Sequence, residues 1–479
     1  MNKRVIDIIE SKKDKLTALS DGIWNTPETA FTEFNSVKLL CDALRSEGFQ
    51  VEEGVAGVKT AFSGKFGSGK PVIGILGEFD ALSGLSQLAG VAEKQPVAPG
   101  DSGHGCGHHL LGTAGIAAAI AIKDYLENTK REGSVIFYGC PGEEGGSGKA
   151  FMAREGLFDV LDCALTWHPS DNSCVSSGSS LANVQVSYKF KGVAAHAAAV
   201  PHLGRSALDA VELMNVGVNY LREHVIPEAR MHYAVTNTGG FSPNVVQAEA
   251  EVLYLIRAPK NAQVQEIYKR INKIAQGASL MTETELEIDF IKACSNIIPN
   301  NTLEQVLDKY LREIPHPVYS DEEIALAEKF RATSPAVGST VNSYAGKVTG
   351  ADSKKEIMAL ADKALLDVVM PYIPSETAMP GSSDVGDVSW VCPTAQINTT
   401  CYAADTPGHS WQLVAQGKEG PAHKGMLYAG KVLACAAINL MENPQVIEAA
   451  KEEHKMRVGD GYVCPIPAGV QPRAIAPKK

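Results

Sequence analysis

Residues 135–146 read VIFYGCPGEEGG. The first four are apolar without a break, the pattern of a strand covered on both faces. Two acids, Glu143 and Glu144, follow at once among glycines. The same arrangement occurs twice more. Residues 72–76 (VIGIL) lead into GEFDAL, with Glu78 and Asp80, and residues 164–167 (ALTW) lead into His168 in WHP. Between the first two acid-bearing turns lies DSGHGCGHHLLGT (101–113), which places His104, Cys106, His108 and His109 in front of an alanine-rich helix over 110–126. Strands separated by helices predict an α/β fold, a mixed sheet with helices on both faces.

Outward from this core, residues 13–24 and 35–47 have helical amphipathic periodicity, the second ending at Gly48. From Asn183 the rhythm changes. Residues 184–190 alternate like a half-exposed strand, followed by a helix over 206–224, strands over 231–237 and 249–257, a helix over 261–282 and a strand over 285–291. That order, β-α-β-β-α-β, is a ferredoxin-like unit. It interrupts the α/β pattern, which resumes afterwards and runs to a last long helix over 422–441. The expected division is a catalytic domain from 1–182 and 297–479, with an inserted α+β domain over 183–296. Residues 300–380 read as charged and loop-rich, with no structure assignable to the Gly/Ser/Thr stretch over 338–350, and the proline-rich tail beyond Pro465 reads as extended.

At 479 residues the chain exceeds one ordinary core, which agrees with two domains. Its 44% apolar and 21% charged residues are ordinary for a soluble globular protein. The formal charge of -11 argues against a nucleic-acid partner, which wants a basic stripe. The opening MNKRVIDIIESKKDK breaks its apolar residues with charges, unlike a secretory leader, and the smoothest apolar stretch, 115–122, is too short to span a bilayer. The ten cysteines are scattered, several in apolar strings such as DCALTW and VLACAAI, and are expected to be reduced. The expected location is the cytoplasm.

In open α/β sheets ligands collect at the carboxyl ends of the strands. Cys106, His108, Glu144 and His168 stand there in sequence, and TPGHSW adds His409 before the final helix. A single buried histidine is more often a packed core residue than a ligand. Repetition of one strand–polar–glycine pattern around several sheet edges favours a metal site. Thiolate, imidazole and carboxylate together suit zinc, manganese or a similar divalent ion. Five candidates are too many for one tetrahedral ion with an open position; they fit two ions about 3.5–4 Å apart. Of the adjacent acids, one can bind metal while the other takes a proton from a metal-activated water, whose pKa falls to roughly 7.

The segments GEFDAL, HGCGHH, PGEEGG, WHP and TPGHSW, with WNTPETAFTEF near the start (Pro27, Glu28, Glu33), resemble the amidohydrolase branch of the aminoacylase/carboxypeptidase-type co-catalytic metallopeptidases. The resemblance spans nearly the whole chain. The longer strings HGCGHHLLGTA, FYGCPGEEGGSGK, KGVAAHAA, PHLGRSALDAV and SPNVVQAEAEVLYLIRAP are similar to those of the members that split p-aminobenzoyl-glutamate. The resemblance implies two divalent ions per subunit, manganese or zinc, held by Cys106, His108, Glu144, His168 and His409, with Glu143 as general base. It implies that His196, in GVAAHAA, reaches an active site to stabilise the oxyanion, and that Asn244 and Arg257 bind the substrate's carboxylate or carbonyl. It also implies a dimer, homo- or heteromeric, formed through the inserted domain, which would place His196 across the interface between protomers. Two positions depart from the branch: His109 stands where most members have Asp, and Glu78-Phe79-Asp80 where most have Asp-x-Asp. Asp80 and His109 are expected to support ligands from behind.

The expected activity is hydrolysis of the amide bond of an N-acyl amino acid, with p-aminobenzoyl-glutamate the first substrate and an aromatic-acyl conjugate the alternative. A reading from another class is a non-catalytic or regulatory subunit. The intact Glu143–Glu144 pair and the full ligand set speak against it, since such a subunit could lose them freely.

Overall fold

The computed structural model describes residues 2–474. Helices α1 (Asn2–Ser11), α2 (Lys13–Trp24) and α3 (Phe34–Ser46) lead into strands β1 (Gln50–Glu53), β2 (Phe62–Ser68) and β3 (Val72–Gly77). Helix α4 (His108–Thr129), strand β4 (Gly133–Gly139), helix α5 (Gly148–Arg154) and strands β5 (Cys163–Ser170) and β6 (Cys174–Ser176) follow. The inserted unit runs β7 (Ala182–Lys191), α6 (Ala207–Leu221), β8 (Arg230–Asn237), β9 (Glu249–Ala258), α7 (Asn261–Thr282) and β10 (Glu285–Cys294). The chain then returns through α8 (Asn301–Glu313), α9 (Asp321–Arg331), α10 (Ser339–Lys347), α11 (Ala351–Met358) and α12 (Val385–Val391) to strand β11 (Thr394–Thr400). Helices α13 (Trp411–Gln416), α14 (Gly420–Glu442) and α15 (Pro444–Val458) close it.

Seven strands form the main sheet, in the order β1-β2-β4-β3-β5-β11-β6. The four central strands are parallel, while β2 on β4 and β6 on β11 are antiparallel, so the sheet is mixed as expected. Alternate residues of the apolar runs face two different cores. Ile73, Ile75, Val135 and Phe137 pack with α4 and α14, whereas Leu76, Ile136 and Tyr138 pack with Phe151 of α5 and Val388 of α12. This is why those strands carry no polar alternation. The alanines of α4 let it sit close between the sheet and α14: a methyl group added at Gly430 would lie 3.0 Å from the Cβ of Ala117. The inserted unit is a four-stranded antiparallel sheet, β10-β7-β9-β8, backed by α6 and α7. Leu213, Val216 and Tyr220 leave an apolar face of α6 exposed.

The stretch expected to be loop-rich, 300–380, instead contains the four helices α8–α11. Their stability comes from tertiary contacts. Helix α10, STVNSYAGK, is poor in strong helix formers, and Val341 and Tyr344 hold it against Val348, Ile357 and Leu366. From 466 to 474 the chain is irregular and crosses the junction of the two units; the rest of the tail expected to be extended lies outside the described residues. Arg154 Nη1 donates to the Val470 carbonyl at 2.9 Å, Gln265 Nε2 to that of Pro465 at 3.3 Å, and Arg473 pairs with Asp289 at 2.6 Å. Among the described residues, no helix is long and apolar enough to cross a membrane.

Candidate metal centre

The parallel strands end on one rim, and the loops that leave them carry the polar residues. Glu78 and Asp80 follow β3, Glu143 and Glu144 follow β4, His168 lies near the end of β5, and His409 follows β11. Helix α4 starts at His108, with Cys106 just ahead of it. The turn between them needs glycine: Gly107 has φ +85°, and an added Cβ would lie 2.2 Å from the Tyr402 hydroxyl.

These loops bring the five residues together. Potential ligand atoms of Cys106, His108 and His168 lie within 4.8 Å of one another, and so do those of Cys106, Glu144 and His409. Cys106 is common to both groups. The Cys106 sulfur lies 3.2 Å from His168 Nε2. The other ring nitrogens of two histidines are occupied from behind. His108 Nδ1 is 2.8 Å from Asp80 Oδ1, and His168 Nδ1 is 2.8 Å from the Pro169 carbonyl, which leaves both Nε2 atoms facing the cluster. Asp80 also accepts the Glu144 backbone N–H at 3.0 Å, so one carboxylate orients two of the five.

Two atoms test whether a cation fits. His108 Nε2 and Glu144 Oε1 are buried and make no hydrogen bond, although Nε2 lies 3.2 Å from Glu78 Oε2 and Oε1 lies 3.2 Å from His409 Nε2. Lone-pair atoms at that spacing, buried and out of line for hydrogen bonding, suit donors that share an ion. The donor set also matches a divalent metal, and the residues fit two ions.

Electrostatics separate the adjacent acids. Burial and the neighbouring Glu78 and Glu144 carboxylates push the Glu143 carboxyl well above its usual range. Burial also raises Glu144, but His409 and His108 outweigh it and hold that carboxyl at about 2. Two neighbours in sequence thus have opposite proton affinities. Burial, then Asp80, raises Glu33 to about 8; its carboxylate accepts the Gly142 N–H at 2.9 Å and so supports the turn before Glu143.

The remaining expected residues are placed differently. His109 points away from the cluster, with Nε2 2.9 Å from the Gly417 carbonyl and its ring 4.9 Å from that of His104. His104 Nε2 in turn lies 3.1 Å from the Ile23 carbonyl. His196 is exposed on the inserted unit, where its Nδ1 accepts the Ala198 and Ala199 N–H groups at 3.2 Å. Asn244, also exposed, supports that loop by accepting the Ala197 N–H at 2.9 Å on its backbone carbonyl. Among the described residues, no hydrogen bond or ion pair joins His196 or Asn244 to the cluster of this chain. Arg257 is half-buried in a cleft of about 790 Å³ that Arg230, His232, Glu376 and Arg457 also line. Its Nη1 lies 3.4 Å from Ser382 Oγ.

Sequence reasoning missed a fully buried lysine. Lys149 donates to Glu78 Oε1 at 2.5 Å and to Asp384 Oδ1 at 2.6 Å, beneath the His108 side of the cluster. In GSGK it looks like any surface lysine, and Asp384 lies 235 residues away, so nothing local reveals the pair. Lys292 was missed for the same reason; it crosses from the inserted unit to donate to the Glu144 carbonyl at 2.9 Å.

Comparison with known proteins agrees with this architecture. Residues 179–283 match the peptidase dimerisation domain of the M20 family. The chain is 52% identical over 472 residues to a p-aminobenzoyl-glutamate hydrolase subunit of Escherichia coli, covering 97% of each. It is 27% identical to a mouse Xaa-Arg dipeptidase over 96% of this chain and 93% of that one. An aminobenzoyl-glutamate utilization protein from Klebsiella pneumoniae superposes with a TM-score of 0.60 at 18% identity, over 90% of this chain and 97% of that one. A dinuclear metal-binding peptidase of the M20 family from Bacillus subtilis gives 0.52 at 15% identity, over 90% and 99%. With its interrupted α/β domain and this rim of thiol, imidazole and carboxylate groups, the chain belongs to the M20 family of metal-dependent hydrolases acting on amide bonds.

Proposed function

We propose that the chain hydrolyses the amide bond of N-acyl amino acids, with p-aminobenzoyl-glutamate as substrate and p-aminobenzoate and glutamate as products. The observation that carries this reading is the convergence of Cys106, His108, Glu144, His168 and His409 beside a carboxylate, Glu143, whose proton affinity is raised. The 52% identity to a p-aminobenzoyl-glutamate hydrolase chain supports the choice of acyl group and amino acid.

Two ions, manganese or zinc, would be held by those five side chains; when bound they supply Lewis acidity that polarises the scissile carbonyl and acidifies water. Glu143 takes the proton of the attacking water and delivers it to the leaving nitrogen. Asp80, behind both His108 and Glu144, fixes their orientation. Arg257 binds a substrate carboxylate with its planar fork, and Asn244 holds the carbonyl end. His196, brought by the inserted domain of a second protomer, hydrogen-bonds the carbonyl oxygen as negative charge develops. Domain bounds of 1–182 with 297–479, and 183–296 for the insert, give each protomer one such active site, completed by its partner. That partner is a second copy or a related chain, and the compartment is the cytoplasm.

The test uses the purified chain alone, stripped with chelator and reloaded with Mn²⁺ or Zn²⁺, against a panel of acyl-glutamates and acyl-aromatic amino acids. Turnover that is highest for p-aminobenzoyl-glutamate and absent without metal is expected. Turnover highest for an aromatic-acyl conjugate would replace the substrate. No turnover until a related chain is added would favour the reading in which this chain has no activity of its own.

A further inference from the structure

We propose that Glu78 is an additional metal ligand, adding its Oε2 to His108 at one of the two positions, with Lys149 holding the carboxylate in place through its other oxygen. The inference rests on the reading that the cluster holds two ions, and it adds a residue to the five already named.

The geometry separates the two oxygens of Glu78. Oε1 is 2.5 Å from the buried Lys149 ammonium, which also grips Asp384 at 2.6 Å. That ion pair accounts for one oxygen only. Oε2 lies 3.2 Å from Nε2 of His108, and its ligand atom, that of His108 and that of Glu143 fall within 4.8 Å of one another. A hydrogen bond does not account for this approach, because His108 Nε2 makes none. The opposite ring nitrogen already meets Asp80, so Nε2 is the atom His108 offers to an ion. Glu78 Oε2 stands beside that atom.

Charge points the same way. One ammonium faces two carboxylates, Glu78 and Asp384, all three with side chains no more than 3% exposed. An uncompensated charge in such a place is strongly destabilising unless another ion offsets it. A divalent cation beside Oε2 supplies the missing positive charge. Chain length matters too: with Oε1 fixed on Lys149, glutamate reaches one methylene further than aspartate would. An added carboxylate oxygen makes the His108 position harder and more highly coordinated, which favours manganese over zinc relative to the position completed by Glu144 and His409.

The test uses the full chain, stripped and titrated separately with Mn²⁺ and Zn²⁺, with metal content and competition affinity as readouts. The parent is expected to bind two ions, and an anomalous map of manganese-soaked crystals to place Glu78 Oε2 within bonding distance of one of them, about 2.0–2.2 Å for a carboxylate on zinc and slightly more on manganese. E78Q keeps the side-chain shape and an acceptor for Lys149; it is expected to weaken one ion by about 10- to 100-fold, the range for losing a support of a metal site, and to leave the other unchanged. E78D should weaken the same ion, because it cannot reach. A parent that binds two ions with Glu78 Oε2 more than 3 Å from both overturns the proposal, as does E78Q binding both with parent affinity. If E78Q fails to fold, the parent map alone decides. A parent that binds no ion overturns the hydrolase reading itself.

Discussion

Glu143 and Glu144 are consecutive, yet their surroundings give them opposite proton affinities, raised well above the usual range for the first and held at about 2 for the second. A Glu143→Ala chain is expected to lose turnover by at least the ~10²–10⁴-fold typical of a general base, with metal content per chain near the parent value. Metal loss in that variant, read by elemental analysis, would mean that the two roles are exchanged. A Gly107→Ala substitution forces a left-handed residue against Tyr402 and should cost on the order of 1–3 kcal/mol, measured as a lower denaturation midpoint. Glu144 and His168 were legible because they stand at the ends of apolar runs that mark buried strands, and Cys106 and His108 because they cluster with glycines in front of an alanine-rich helix. Lys149 and Asp384 were not, since a buried ion pair is made by two distant segments and neither carries a local mark.

At the scale of elements, the strands and helices that bury one repeated face were readable, and α2, α7 and the order of the inserted unit follow the periodicity closely. Helices α8–α11 were not readable as a group, because part of their order comes from contacts with other segments. One such contact holds the loop that leads to His409. Asp405, four residues before His409, is buried and accepts from Arg331 Nε at 3.1 Å, the Gly338 N–H at 2.8 Å and the Thr340 N–H at 3.0 Å. Burial raises this carboxyl, but the Thr340 and Gly338 N–H groups and Arg331 outweigh it and hold it below its usual range. A depressed folded-state pKa means that the stabilisation is present above the ordinary carboxylate pKa and is lost as pH falls through the folded value. Asp405→Asn should therefore lower Tm most at neutral pH, and the gap to the parent should close as the buffer is taken to pH 4 and below. A gap that is constant across that range would show that Asp405 does not act through its charge. The same variant should bind the ion at the His409 position more weakly, as read by metal titration.

Across the whole molecule, the exposed apolar residues of α6, Leu213, Val216 and Tyr220, fall on one helical face, on a unit that matches a dimerisation domain. Val216→Glu with Tyr220→Glu is expected to turn dimers into monomers in sedimentation velocity and to abolish turnover while metal binding persists. If His196 acts across the interface, mixing inactive His196→Ala and Glu143→Ala chains should restore activity, because some mixed dimers contain one site with both residues intact. No recovery on mixing would place His196 within its own protomer's active site or outside catalysis.

The main sheet is assembled from two distant stretches of chain, since β11 pairs in parallel with β5 some 230 residues after it, from Thr394↔Ala164 to Thr400↔Ser170. A ribosome that has reached the end of the inserted unit has therefore released Cys106, His108, Glu144 and His168 but neither β11 nor His409. The inserted unit, whose four strands pair with one another, can fold first, while β5 waits with one side open to stray strand pairing. During synthesis the nascent polypeptide is thus most exposed to misassembly in the interval between its second and third structural installments, and a cation captured early would meet only part of its coordination shell.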